Sequence, residues 1–147
     1  MKKLFTLLFS ILLIGSANAQ TKQETLKWLN KNKKYITLVN PDGYSSKDFE
    51  VEMTDSYIIT TTKNGVDKYE AKIYWSEIEE ITLYLNNEDK GGVSLSTETK
   101  GSKGSIITLH LSKNITEMRE KLSSMVRTYK SVMLKTIDLR GDSIFGN

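Results

Sequence analysis

The chain of 147 residues has no cysteine, a single histidine and a single proline. Without cysteine there is no disulfide, no thiol nucleophile and no thiolate metal site, so packing alone must hold the fold. With His110 as the only imidazole, a multi-histidine metal site is excluded. Any Ser-His-Asp arrangement would have to be centred on that one residue. No G-x-S-x-G elbow and no G-x-x-x-x-G-K-[ST] phosphate loop occurs. The alternating acids of an EF-hand loop are missing around Glu88-Asp89. Strong net charge is lacking too: the formal balance is +3, and Lys2 and Lys3 supply two of those charges. What remains is near neutral and gives no reason to expect a nucleic-acid partner.

Long apolar runs are also scarce, and the one present is informative. Met1 to Ala19 reads as a secretory signal peptide: Lys2 and Lys3, an apolar run from Leu4 to Ile14, then the small residues of Ala17-Asn18-Ala19. A spanning helix needs roughly 20 apolar residues, and this run ends sooner, at Ser16. No cysteine follows for a lipoprotein anchor. The expectation is a bacterial protein exported by the general secretory route to the periplasm or the medium, with no stable membrane insertion after leader removal. Residues 20–135 then read as one domain and 136–147 as a tail.

In the mature part the hydrophobic period switches twice. Residues 21–32 read as a short helix, with Thr21 and Glu24 spaced as a capping box, Leu26 and Leu29 on one face and Trp28 beside it. From Tyr35 the period is two. Strands are expected at 35–39, 49–53, 57–62, 69–73, 81–86, 93–99 and 107–111, several with apolar residues on one side and charged or hydroxyl residues on the other. Asn40-Pro41-Asp42-Gly43 is a turn, and Asn64-Gly65 is a hairpin signal. From Asn114 the period returns to 3.6, and Ile115, Met118, Leu122, Met125, Val126, Tyr129, Val132 and Met133 trace one apolar stripe. That predicts a helix over 114–135, capped by Asn114, whose stripe needs a sheet to cover.

The plan is α+β and mainly antiparallel: a short N-terminal helix, about seven strands and a C-terminal amphipathic helix. Over roughly Lys34 to Lys135 it resembles the pleckstrin-homology-like fold, including its GRAM-type and bacterial members. The resemblance rests on strand count, the closing helix and the step Ile73-Tyr74-Trp75-Ser76-Glu77-Ile78-Glu79-Glu80-Ile81. It implies a twisted sandwich or barrel capped by the last helix. A lipocalin-like or other small β-barrel is the alternative, disfavoured because closed barrels of that kind usually have more strands. Inositide-binding members concentrate basic residues in the first hairpin loop. Here residues 40–48 hold only Lys47, which departs from that pattern.

Trp28, Tyr44 and His110 are the candidates for a ligand or partner surface, and Trp75 is expected in the core. His110 lies between Leu109 and Leu111 and should point away from their face. Glu77, Glu79 and Glu80 could serve acid–base work only if something fixed their separation, and nothing in the sequence does. The reading assigns no catalytic residue, no metal and no cofactor. The leading function is a non-enzymatic exported binding or scaffold module, with an unknown envelope protein or small ligand as partner. The alternative is a small-ligand, lipid-like carrier with a barrel-type pocket, and a carboxylate-dependent hydrolase ranks third.

Overall fold

In the computed structural model the described residues are 21–41, 48–87, 90–97 and 104–139. The leader, Tyr44 and the Glu88-Asp89 loop lie outside them. Helix α1 occupies residues 21–32 and runs into a 3₁₀ turn at Lys33–Tyr35. Thr21 lies in the helix, and the Thr25 hydroxyl donates back to its carbonyl at 2.8 Å.

All seven expected strands are present: β1 Ile36–Pro41, β2 Asp48–Met53, β3 Tyr57–Asn64, β4 Asp67–Tyr74, β5 Glu80–Asn87, β6 Lys90–Ser96 and β7 Ile106–Leu111. Asn64 pairs with Asp67, so the β3–β4 loop is Gly65-Val66, one residue later than the Asn-Gly signal suggests. Gly65 takes the positive φ (64°) that this tight turn requires. Trp75–Glu77 forms a 3₁₀ turn, with the Glu77 carboxylate accepting the Tyr74 N–H at 3.3 Å. That turn sinks Trp75 and Ile78 into the core, and the Trp75 indole donates to the Thr54 carbonyl at 2.9 Å.

Two expectations are corrected at the C-terminal end. Helix α2 is Ile115–Arg127, not 114–135, and an eighth strand, β8 Met133–Asp138, follows it. The helix stops because its last turn tightens: the N–H groups of both Tyr129 and Lys130 donate to the Val126 carbonyl, a common way for terminal carbonyls to be satisfied. At the other end Asn114 holds the cap position in the left-handed conformation (φ 59°) and makes no side-chain capping bond.

The strands form two sheets. One has five strands in the order β1-β7-β6-β5-β8, and the other has three in the order β2-β3-β4. Every pairing is antiparallel except β5 with β8, which is parallel. Neither sheet closes into a barrel among the described residues, since β1 and β8 end one and β2 and β4 the other. Helix α2 lies over β5 and β6, while β1 packs against β3 and β4. Ile81, Leu83, Val93, Leu95, Ile107 and Leu109 point to this inner side and join Leu122, Met118 and Val126 of α2 in one core. That core also takes in Leu29 of α1 and Val51, Ile58 and Ile73 of the smaller sheet.

Candidate functional site

The register of the larger sheet decides what its other face carries. His110 pairs with Leu38 and Gly92, Gly92 with Tyr84, and Tyr84 with Ile137, so these side chains share one row. The next row is Thr108, Ser94, Thr82 and Lys135, and the third is Ile106, Ser96, Glu80 and Met133. The middle of this outer face is built from small residues. Ser94 and Thr82 are 9% and 5% exposed, beneath taller neighbours such as Ile106 at 48% and Met133 at 57%. The face is therefore a shallow trough with a hydroxyl floor and an apolar rim. Ile106 stands on one side of the floor, and Met133 and Ile137, with Lys135 between them, on the other.

The floor is internally satisfied. Ser94 Oγ and Thr108 Oγ1 lie 2.7 Å apart, and the Thr82 hydroxyl donates to Glu80 Oε1 at 2.8 Å. Lys135 reaches the other Glu80 oxygen at 2.6 Å. The Lys135 ammonium first and the Thr82 hydroxyl second hold the Glu80 carboxyl below the usual carboxylate range. His110 sits half-buried over Gly92: a Cβ added there would meet its ring, with Nδ1 at 3.7 Å. No carboxylate shares the histidine's row, so the register gives the imidazole no acid to orient it as a base.

Of the residues singled out in the sequence, the two that are described, Trp28 and His110, do not share a site. Trp28 sits on α1, partly buried against the core, with the Lys121 ammonium of α2 5.9 Å from its ring. It belongs to the helix-covered side of the sheet, and His110 to the opposite side. The acidic residues are also dispersed. Glu79 pairs with Lys130, Glu80 with Lys135, and Glu77 accepts its own turn's N–H.

Strand alternation already sets Ile106 beside Thr108 and His110, whereas Met133 and Ile137 have no place on this face in the sequence pattern. A weak signal exists in the doublets Ile106-Ile107 and Met133-Leu134, because one member of each must face outward on a strand. The alignment of Gly92, Ser94, Thr82 and Thr108 into one floor comes from three strands and their register, which no local pattern encodes.

A cleft of about 860 Å³ lies elsewhere, around the β2 edge between Lys33, Lys34 and Lys68 on one hand and Glu50, Glu52 and Glu70 on the other. Its charges are of mixed sign, and the Lys33 ammonium is engaged by the Val51 carbonyl at 3.2 Å. Among the described residues, no helix is long and apolar enough to cross a membrane. No protein-family model matches the chain, and no curated protein sequence matches it either.

Proposed function

We propose that the protein is an exported, non-enzymatic binding or scaffold module on a pleckstrin-homology-like frame, and that the outer face of the five-stranded sheet is its partner surface. The observation that carries this reading is the hydroxyl floor between exposed apolar rims. Satisfied polar groups allow such a face to stand in water, and the rim offers Ile106, Met133 and Ile137 to a partner. The frame is supported by seven consecutive antiparallel strands divided between two sheets, with an amphipathic helix following the seventh.

The inner side favours a module over a carrier. The side chains that would line a barrel-type pocket, Leu83, Val93 and Leu109 among them, are packed against α2 and the core. A carrier needs a cavity of roughly 300 Å³ or more lined by apolar groups.

The test is site-specific photo-cross-linking in the producing cell. A photoreactive residue at Ile106 or His110 is expected to yield a discrete protein adduct, while one at the fully exposed Val66 of the hairpin tip yields none. Equal labelling from Val66, or none from the sheet face, would refute the assignment. A small molecule retained at one copy per chain in native mass spectrometry would support the carrier instead.

A further inference from the structure

Strand β2 ends the smaller sheet, and its open side lines the cleft of about 860 Å³. At the turn into β3 the Thr54 N–H donates to the Tyr57 carbonyl. Counting back by twos from that bonded pair, the backbone groups of Glu52, Glu50 and Asp48 face β3. The N–H and C=O groups of Phe49, Val51 and Met53 therefore face the open side. Two of these carbonyls are taken by side chains of the preceding segment. The Asn30 amide donates to Met53 at 3.0 Å, and the Lys33 ammonium to Val51 at 3.2 Å. No strand pairs with this side of β2 among the described residues. The edge is thus uneven: Phe49 offers a donor and an acceptor, whereas Val51 offers a donor beside a cation.

We propose that this edge binds the C-terminus of a peptide, lying parallel to β2 with its carboxylate at Val51 and Lys33. In a parallel ladder a residue donates to the carbonyl before its aligned neighbour and accepts from the N–H after it. A chain whose penultimate residue lies beside Phe49 gives Phe49 both bonds. The Phe49 N–H meets the antepenultimate carbonyl, and its carbonyl meets the N–H of the last residue. The Val51 N–H then meets the terminal carboxylate. The Val51 carbonyl would next require the N–H of a further residue, and the Lys33 ammonium already stands there. The bound chain must end at this point, and the cation that stops it also neutralises a terminal carboxylate. An antiparallel chain fits less well, because the residue opposite Val51 would need that carbonyl too.

Charge supports the same register. Lys68 pairs with Glu70 at 3.0 Å and Lys63 with Glu50 at 3.7 Å. Lys33 and Lys34 form no ion pair among the described residues, so two ammonium groups in the cleft are available to an incoming carboxylate. Aligned residues of a parallel ladder share a face. The penultimate side chain therefore lies on the side of half-buried Phe49, and the last on the exposed side of Glu50, with Glu52 next along the strand. The site favours an apolar penultimate residue and a basic last one. Main-chain pairing supplies affinity, and capture of the chain end supplies selectivity. This cleft is separate from the outer face of the larger sheet, and its occupancy does not depend on what that face binds.

The probe is the peptide Gly-Gly-Ser-Val-Lys, carrying coumarin at its N-terminus, compared as free acid and as C-terminal amide by fluorescence anisotropy. The free acid should bind about tenfold tighter than the amide, the worth of one charge-assisted hydrogen bond. Replacing the last lysine of the probe by glutamate should weaken binding. In NMR spectra of the unmodified protein, the amide resonances of Phe49 and Val51 should shift as the free acid is added. Lys33→Met keeps the aliphatic stem and should erase the preference for acid over amide. Lys130→Met, which breaks the pair with Glu79 instead, should retain it. Equal binding of acid and amide, or no binding of either up to about 1 mM, would overturn the proposal. So would binding that leaves the Val51 amide unshifted. Inorganic phosphate that displaced the peptide at equal concentration would reduce the cleft to a general anion site and overturn it as well. If Lys33→Met fails to fold, the acid–amide comparison and the Val51 shift decide alone.

Discussion

The two faces of the five-stranded sheet are made by the same strands and differ in almost every physical respect. Along β5, β6 and β7, residues of one parity (Ile81, Leu83, Val93, Leu95, Ile107, Leu109) are buried against α2 and the rest of the core. Residues of the other parity (Thr82, Ser94, Thr108, His110) are small or polar: Ser94 bonds to Thr108, and Thr82 bonds to Glu80 on the same face. The inner face is held by what covers it. The outer face is held by hydrogen bonds within itself, so it can stay open to water without leaving polar groups unpaired. Burial and openness are thus separated by a single step in register, which is why a one-residue slip would exchange the two faces.

This contrast can be broken in graded ways. Leu122→Ala, on the covered side, should be the most damaging: removing a buried leucine leaves a cavity and costs about 2–5 kcal/mol, read from chemical denaturation. Ser94→Ala, on the open side, breaks the hydroxyl bridge to Thr108 and should cost about 1 kcal/mol in the same assay. A loss from Ser94→Ala equal to that from Leu122→Ala would mean that the outer face is a second core and not an open surface.

The smallest effect concerns pH. Because Lys135 and Thr82 hold the Glu80 carboxyl below its ordinary range, its ionised form favours the folded state. That contribution is complete above the unfolded-state value of roughly 4.3 and disappears as pH falls through the lower folded-state value. The melting temperature of Glu80→Gln should therefore lie slightly below that of the unmodified protein near neutrality, by less than about 1 kcal/mol in stability. The two should converge on acidification below about pH 4. A constant gap down to pH 2.5 would show that the ion pair across the outer face is not the cause.

Much of the fold is legible in the sequence because it is local. Period-two alternation, the turn residues and the Trp75 step locate all seven antiparallel strands. The eighth is hidden by its own composition. Tyr129, Val132 and Met133 continue the helical stripe, and no glycine or proline marks the stop. What ends the helix is tertiary as well as local, since Tyr129 turns away to donate its hydroxyl to the Asp55 carbonyl at 2.8 Å. What makes 133–138 a strand is pairing with β5, about fifty residues earlier. The candidate surface was legible only in part. His110 was read correctly as facing away from Leu109 and Leu111, yet Trp28 belongs to the opposite side, and the floor around His110 emerges only from interstrand register.

The connectivity of the larger sheet also has a consequence for the order in which the molecule can be completed. The strands of the smaller sheet each pair with a sequence neighbour, so β2, β3 and β4 can associate once their short turns have closed. Strand β1 is made before any of them, yet its partner is β7, and Ile36 must wait for Leu111. At the far side of the same sheet β5 also waits, over a shorter stretch, for a strand made only after α2. Until residues 133–138 have been synthesised, β5 presents an open backbone edge lined by Ile81 and Leu83, so these six residues decide whether the sheet is sealed or left adhesive.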